Sequence, residues 1–458
     1  MTLPRLSPED RALLRSDRDP RSRPTIGQFA VLAGSPDWEL LRERIDRASR
    51  VRRALRERAV EPTLATTEPR WVVDPDFDLD RHVRRIALPA PGTREQLTTL
   101  VEQLLATPFD PAAPLWTLTC VDGVEGGAAV IAVASPLVRD QGGPVDLLAL
   151  AFDGGSDGTP MPAQPVPTDL EPTDLARAGV RELPWRAVGL ALGGVNQAAG
   201  LAVQAATHPR GVIDQALLLM SPPAPPRGSA LIAGRGTTRR LVLRSVPVAR
   251  VLSAPAHRGV DRVHLAAVRA ALLRYHEELG LPQGALQITE ASHPAAMRRA
   301  LAPESDPIDT YGRLLPLMPA GIVDAVVRPS RGVDIAVAAI RVERPGALGS
   351  ATVTQRYAVG PVPGNAVTSV ALTDGDVMTI ALRYDTEAIK DPGLLERCLD
   401  QALEDTLGPA TAAPTPATSA KRAPARAAAK RASATQSPDK RAATKASARS
   451  VRTRKAGA

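Results

Sequence analysis

Residues 130–150, VIAVASPLVRDQGGPVDLLAL, pass from an unbroken apolar run through a short turn into a second apolar run. Val130–Ala134 has the length and composition of a buried strand. Pro136, Gly142, Gly143 and Pro144 crowd the turn and interrupt regular structure there. The residues that follow, VDLLAL, read as the start of a helix. A strand, a sharp turn and a helix form the unit of a mixed α/β fold, and the turn, S-P-L-V-R-D-Q-G, is where such a fold displays chemistry.

The same mixed character extends upstream. In DWELLRERIDRASRVRRALRERA, Trp38, Leu41, Ile45 and Ala48 fall on one helical stripe with arginines elsewhere. DPDFDLDRHVRRIALPAPG reads as an extended segment stopped by Pro89 and Pro91. TREQLTTLVEQLLATPF reads as an amphipathic helix capped by Thr93, with Glu95 and Gln96 in its first turn. PLWTLTCVDGVEGGAAVIAVAS reads as a hairpin whose turn carries Gly123, Gly126 and Gly127.

Residues 153–185, rich in Pro, Gly, Asp and Thr, read as a linker or long surface loop. A small-residue helix, WRAVGLALGGVNQAAGLAVQAA, and an irregular stretch, SPPAPPRGSALIAGRG, follow. A second mixed unit then runs through the strand RRLVLRSVPV, the helix RVHLAAVRAALLRYHEELG, a Pro-rich crossover and the strand DVMTIALRYDT. It ends in the helix PGLLERCLDQALEDTL before Gly408. The expected organisation is a domain at 1–160, a linker with a helix at 161–235, a second domain at 236–408 and a tail at 409–458. The fold class is α/β (α+β), with two similar units and a disordered basic tail.

The chain has 458 residues, of which 44% are apolar and 3% aromatic, enough for a sizeable core built mainly of Ala, Val and Leu. The net charge of +8 is not evenly spread. Residues 409–458 hold twelve Lys or Arg against one acid, Asp439, so the rest of the chain carries about −3. The tail has one large apolar residue, Val451, and cannot bury enough surface to offset its ordering entropy. Cys120 and Cys398 lie far apart in apolar runs and read as small buried hydrophobes. No CxxC, zinc spacing, phosphate loop, signal peptide or membrane-spanning run is visible.

Taken in this order, the elements resemble the bacterial wax ester synthase/diacylglycerol acyltransferases over about residues 4–408. The resemblance rests on LSPEDRALLRSD with IGQFAVLAG, on DFDLDRHVRRIALPAPG, PFDPAAPLW and VDGVEGG in family order, and on the strand and turn at 130–150. Pro114-Leu115-Trp116 is its most specific element. In the second half, GVDRVHLAAVRAALLRYHEELG and LRYDTEAIKDPGLLERCLDQALEDTLG carry it. The resemblance implies two chloramphenicol-acetyltransferase-like domains with a tunnel or cleft between them. It also implies a turn motif, H-H-x-x-x-D-G, whose histidine takes the proton of an acceptor hydroxyl as that oxygen attacks an acyl-CoA thioester. An alcohol is a weak nucleophile at neutral pH, so the chemistry needs such a base.

This chain departs from the pattern at its diagnostic positions. Ser135 and Pro136 stand where the motif has its histidines, and Asp140 matches its aspartate. Gln141 stands at its glycine. Asp261 and Arg262 replace an Asn-Asp pair, Arg227 stands at a linker-end asparagine, and an N-V-P-G-P element is reduced to IRVERPGALG. A nucleophilic role for Ser135 needs an adjacent base and an oxyanion hole, which the local sequence does not supply. Asp140, on a tight turn, is expected to serve the backbone or an arginine such as Arg139, with a role as replacement base as the alternative. Of the six histidines, His82, His208, His257, His264, His276 and His293, His264 is the candidate substitute base because it lies nearest the altered Asn-Asp position. His264 and His276 share one helix without a metal-type i, i+4 spacing.

The leading expectation is a catalytically weak or inactive homologue that binds acyl chains or lipid in the tunnel. The alternatives are an active acyltransferase with a substitute base, and a polyanion-binding protein acting through the tail. No metal and no cofactor beyond acyl-CoA as co-substrate are expected. The tail is expected to meet an anionic membrane or nucleic acid, and the chain to be cytoplasmic, peripheral at a membrane or lipid-body surface.

Overall fold

The computed structural model of the chain describes residues 3–63, 67–140, 143–153, 159–181, 229, 236–254, 259–280, 288–291, 334–342, 347–362 and 365–408. His208, His257, His293, Gln141, Arg227, the helix expected within 182–228 and the tail at 409–458 lie outside the described residues.

The first sheet has the order β12-β1-β6-β5-β4. Its strands are β1 (Ile26–Ala33), β4 (Val83–Ala87), β5 (Trp116–Val124), β6 (Gly127–Ala134) and β12 (Thr352–Val359). β6 is central and apolar on both faces because helices cover both. Ala128, Val130 and Ala132 pack with Leu41 and Ile45 of α2 (Trp38–Val51) and with Leu148 of α5 (Leu147–Asp153). Ala129, Ile131 and Val133 pack with Leu97, Val101 and Leu105 of α4 (Arg94–Ala106). This is why GAAVIAVA has no polar alternation: neither face meets water. Asp37 caps α2 at the Leu40 N–H (3.1 Å), and Thr93 and Gln96 form a reciprocal capping box on α4. In the β5–β6 turn Gly126 has φ +80, and a Cβ on Gly127 would lie 2.1 Å from the Leu32 carbonyl oxygen, so glycine is required at both.

The second sheet has the order β10-β11-β13-β14-β9, with strands β9 (Arg239–Pro247), β10 (Ile288–Ala291), β11 (Ile335–Val342), β13 (Val367–Asp374) and β14 (Val377–Asp385). β10, β11 and β13 run parallel, while β13, β14 and β9 are antiparallel. One face packs on α7 (Val260–Glu278) and α8 (Pro392–Leu407) through Ala267, Ala271, Ile380, Leu382, Leu399 and Leu403. A short helix, α6 (Val248–Leu252), follows β9, and two short pairs, β2 (Glu57–Val60) with β3 (Arg70–Val73) and β7 (Arg139–Asp140) with β8 (Gly143–Pro144), stand apart from both sheets. The other face turns toward the first sheet. Leu241 of β9 and Ala381 of β14 join the cluster under α4, and Val370 and Leu372 of β13 pack with Ala358 of β12.

Three expectations are corrected. Residues 352–359, assigned to the second domain at 236–408, form β12 and pair antiparallel with β1, Phe29 opposite Tyr357, so the second half lends a strand to the first sheet. DPDFDLDRHVRRIALPAPG is not extended throughout: Asp78 caps a helical turn, α3 (Leu79–His82), before β4 begins. Within the stretch read as linker or loop, residues 172–181 are helical, and Leu175 buries against Val60 and Val72.

Candidate active site

The turn at 135–146 is built by backbone bonds. The Ser135 N–H donates to the Leu115 carbonyl (2.9 Å), which ties the end of β6 to the Pro114-Leu115-Trp116 segment. The Val138 N–H donates to the Ser135 carbonyl (3.0 Å) and closes the turn. Ser135 is fully buried, and its Oγ accepts from the Leu137 N–H (3.3 Å). Leu137 and Val138 bury into the core under α2 and α5. Pro136 is buried and offers no donor. No described histidine is bonded to this turn, so among the described residues Ser135 has no imidazole to take its proton.

The two charged residues of the turn are anchored to the body of the first sheet. Asp140 pairs with Arg52 (2.5 Å) and Arg139 with Asp10 (2.5 Å) of α1 (Pro8–Ser16). Asp10 is 4% exposed, so the Arg139 pair is the more deeply held. A third link was not visible in the sequence. Arg356 of β12, 2% exposed, donates through Nη2 to both oxygens of Asp146 (2.7 Å each) and to Gln28 Oε1 (2.9 Å). Asp146 also caps α5 at the Ala149 N–H (2.9 Å). The lent strand is thus pinned to the helix that leaves the motif turn.

His264 lies on α7, on the side facing β13. It is fully buried, and its Nε2 shares a hydrogen bond with Ser369 Oγ (2.7 Å) while Nδ1 has no partner among the described residues. Burial pulls its pKa down to about 3, so the ring is neutral at physiological pH. Ser369 belongs to the same face of β13 as Val367 and Ala371, which pack on the helices. The ring is therefore enclosed between helix and sheet and is not brought to the Ser135 turn. Asp261 and Arg262, at the start of α7, are exposed.

The other described histidines are also structural in geometry. His82 donates from Nδ1 to the Trp116 carbonyl (2.8 Å) and stacks between Phe77 and Trp116, at 5.2 and 4.7 Å between ring centres. Desolvation holds its pKa below the usual histidine value. The Trp116 indole N–H donates to the Leu55 carbonyl (2.8 Å). The tryptophan that marks the sequence element thus fastens three segments, including the one that receives Ser135. His276 is bonded through Nδ1 to the Leu272 carbonyl (2.6 Å) and through Nε2 to Ser229 Oγ (2.8 Å). Cys120 is buried and its thiol is pushed up to about 11 by desolvation, which leaves it unreactive.

Among the described residues no group of three or more His, Cys, Asp or Glu could hold a metal ion. No described helix is long and apolar enough to cross a membrane. A groove of about 620 Å³ lies elsewhere, between β9, α7 and α8, where Arg244, Arg250 and Arg274 pair with Asp400, Glu404 and Asp405.

Comparison with known proteins agrees with this architecture. Residues 6–262 match the family model described as the wax ester synthase/diacylglycerol acyltransferase catalytic domain. A Mycobacterium tuberculosis protein named as a diacylglycerol O-acyltransferase is 32% identical over 451 residues, covering 88% of this chain and 91% of that protein. The wax ester synthase/diacylglycerol acyltransferase from Marinobacter aquaeolei VT8 superposes with a TM-score of 0.55 at 18% identity, over 88% of this chain and 98% of that one. The first condensation domain of the CDA synthetase superposes with a TM-score of 0.51 at 16% identity, over 90% and 97%. The last two show a shared two-lobed fold.

Proposed function

Because the chain belongs to the wax ester synthase/diacylglycerol acyltransferase family, we propose that it keeps the family's acyl-chain-binding fold and has lost most of the family's acyl transfer. The observation that carries this reading is the Ser135 turn. The turn is held at both ends, by the Ser135–Leu115 backbone bond and by the Asp140–Arg52 pair. The positions that would bear imidazoles hold a serine whose Oγ is turned onto the Leu137 N–H and a proline. His264, the candidate substitute, is buried against Ser369. Loss of a general base costs about 10²–10⁴-fold, so a residual rate from positioning alone is compatible with the reading.

The test is acyl transfer from palmitoyl-CoA to diacylglycerol or hexadecanol by the purified protein, beside the Ser135→His, Pro136→His double variant. The wild type is expected to turn over about 10²–10⁴-fold more slowly than a histidine-bearing relative, and the double variant to recover part of that loss. A wild-type rate equal to that of such a relative would overturn the proposal and require a base elsewhere in the chain.

A further inference from the structure

We propose that Arg383 is the recognition group for the carboxylate of a long-chain fatty acid bound between the two sheets. The proposal rests on the acyl-chain-binding reading above and specifies the ligand's head group.

Arg383 lies on β14, where successive side chains alternate between two surroundings. Met378, Ile380, Leu382 and Tyr384 pack on the helix side. Ala381 packs with Leu241 and the α4 residues on the side of the first sheet. Arg383, two residues beyond Ala381, is on that inner side and is 5% exposed. Its Nε has no partner, and no hydrogen bond or ion pair joins its guanidinium to any described residue.

Three other arginines with largely buried side chains are compensated. Arg56 bonds Asp46 and Ser49, Arg239 pairs with Asp385 at 3.0 Å, and Arg356 is held by Asp146. Charges of both signs lie around Arg383. Arg239 opposes it, and Glu102 of α4 is the neighbouring acid. Glu102 is already engaged: it accepts from the Leu241 N–H and lies 3.9 Å from Arg240. Burial draws the Arg383 pKa down to about 10, which still leaves it charged at neutral pH. No described residue accepts a hydrogen bond from this buried cation, so an arriving anion finds its N–H donors unspent.

Strand register places this cation toward the motif turn. Thr368 stands opposite Arg383, and its Oγ1 donates to the Pro361 carbonyl (2.7 Å). Pro361 is two residues past the end of β12, where Val359 pairs with Gly27. Gly27 in turn pairs with Val133, two residues before Ser135. Nearby Leu241, Val359, Ala381 and Val370 are apolar and buried. A planar cation with unspent donors beside apolar side chains suits a carboxylate on a hydrocarbon chain, which a guanidinium grips through two parallel N–H donors. A phosphate would need more donors, and a neutral alcohol or glyceride would bring no charge to meet the guanidinium.

Calorimetric titration of the full chain with palmitate, hexadecanol and palmitoyl-CoA, each below its micelle concentration, tests this in the wild type, Arg383→Met and Arg383→Lys. Palmitate is expected to bind the wild type about 10- to 100-fold more tightly than hexadecanol. Arg383→Met should lose that preference and keep the hexadecanol affinity, and Arg383→Lys should retain part of it. Thermal melts of the variants check folding; Arg383→Met should melt no lower than the wild type, since it removes a buried charge that no described residue bonds. Equal affinity for palmitate and hexadecanol, or an Arg383→Met protein that still prefers palmitate, would overturn the assignment while leaving acyl-chain binding in place. Binding of none of the three ligands would overturn both.

Discussion

A histidine sealed into a core with one hydrogen bond resists taking a proton, and that resistance is a stability term. His264 has a folded pKa of about 3 against an ordinary value near 6.5. The unfolded chain therefore binds the extra proton first as pH falls, and the folded state loses stability below about pH 6.5 and continues to lose it toward pH 3. At pH 5 this amounts to about 2 kcal/mol. His264→Gln keeps a group able to bond Ser369 and cannot be protonated, so its melting temperature should fall less between pH 7 and 5 than that of the wild type. Parallel slopes for the two proteins would show that His264 does not supply the term. The same buried geometry explains what could be read at residue scale and what could not. Ser135, Pro136 and Asp140 could be assigned from the sequence because a motif is a matter of residue identity at fixed spacing. The direction of His264 could not. Its helix has small or apolar residues on more than one side, and only packing against β13 decides which layer the ring enters.

At the scale of elements, the strands and helices of the first sheet were legible because their patterns are local. β6 is apolar on both faces, and α4 carries its own cap. The exchange of β12 was not legible, because pairing with β1 joins residues more than 300 apart and depends on register. What fixes the exchange chemically is Arg356, which brings a buried cation from the lent strand to Asp146. The two members of this pair are not equivalent. Asp146 is 33% exposed and can be rehydrated, whereas Arg356 is 2% exposed and cannot. Asp146→Ala leaves the guanidinium buried without its carboxylate, with Gln28 as its remaining acceptor, and also removes the cap of α5. It should cost about 2–3 kcal/mol, below the range for a fully buried pair because of that exposure. Arg356→Met should cost less, since it leaves the carboxylate near water and still capping. Chemical denaturation of both variants checks the order, and the reverse order would mean that the pair is held chiefly for Asp146.

At the scale of the whole molecule, net charge is a sum over the sequence and needs no fold to be read. Lobe boundaries need long-range pairing, which is why the sequence division at 236–408 missed the crossing strand. The basic character of the chain is concentrated in residues 409–458, with twelve Lys or Arg and one acid, while the remainder is slightly acidic. Deleting residues 409–458 should leave the melting temperature nearly unchanged, because the segment brings a single large apolar residue, Val451, to any core. The deletion should abolish retention on heparin, DNA or anionic vesicles at low salt. For the full chain, retention should fall steeply with ionic strength. Displaced counterions make polyanion affinity drop by about 10³–10⁵ between 50 and 200 mM salt when six to ten charges are neutralised. The tail carries no aromatic residue to stack on bases, so binding to DNA should be indifferent to sequence. Stronger retention on vesicles than on DNA would assign the tail to a membrane surface, and the reverse to nucleic acid. A truncated protein that binds these surfaces as well as the full chain would place the basic face on the folded body and refute this division of charge.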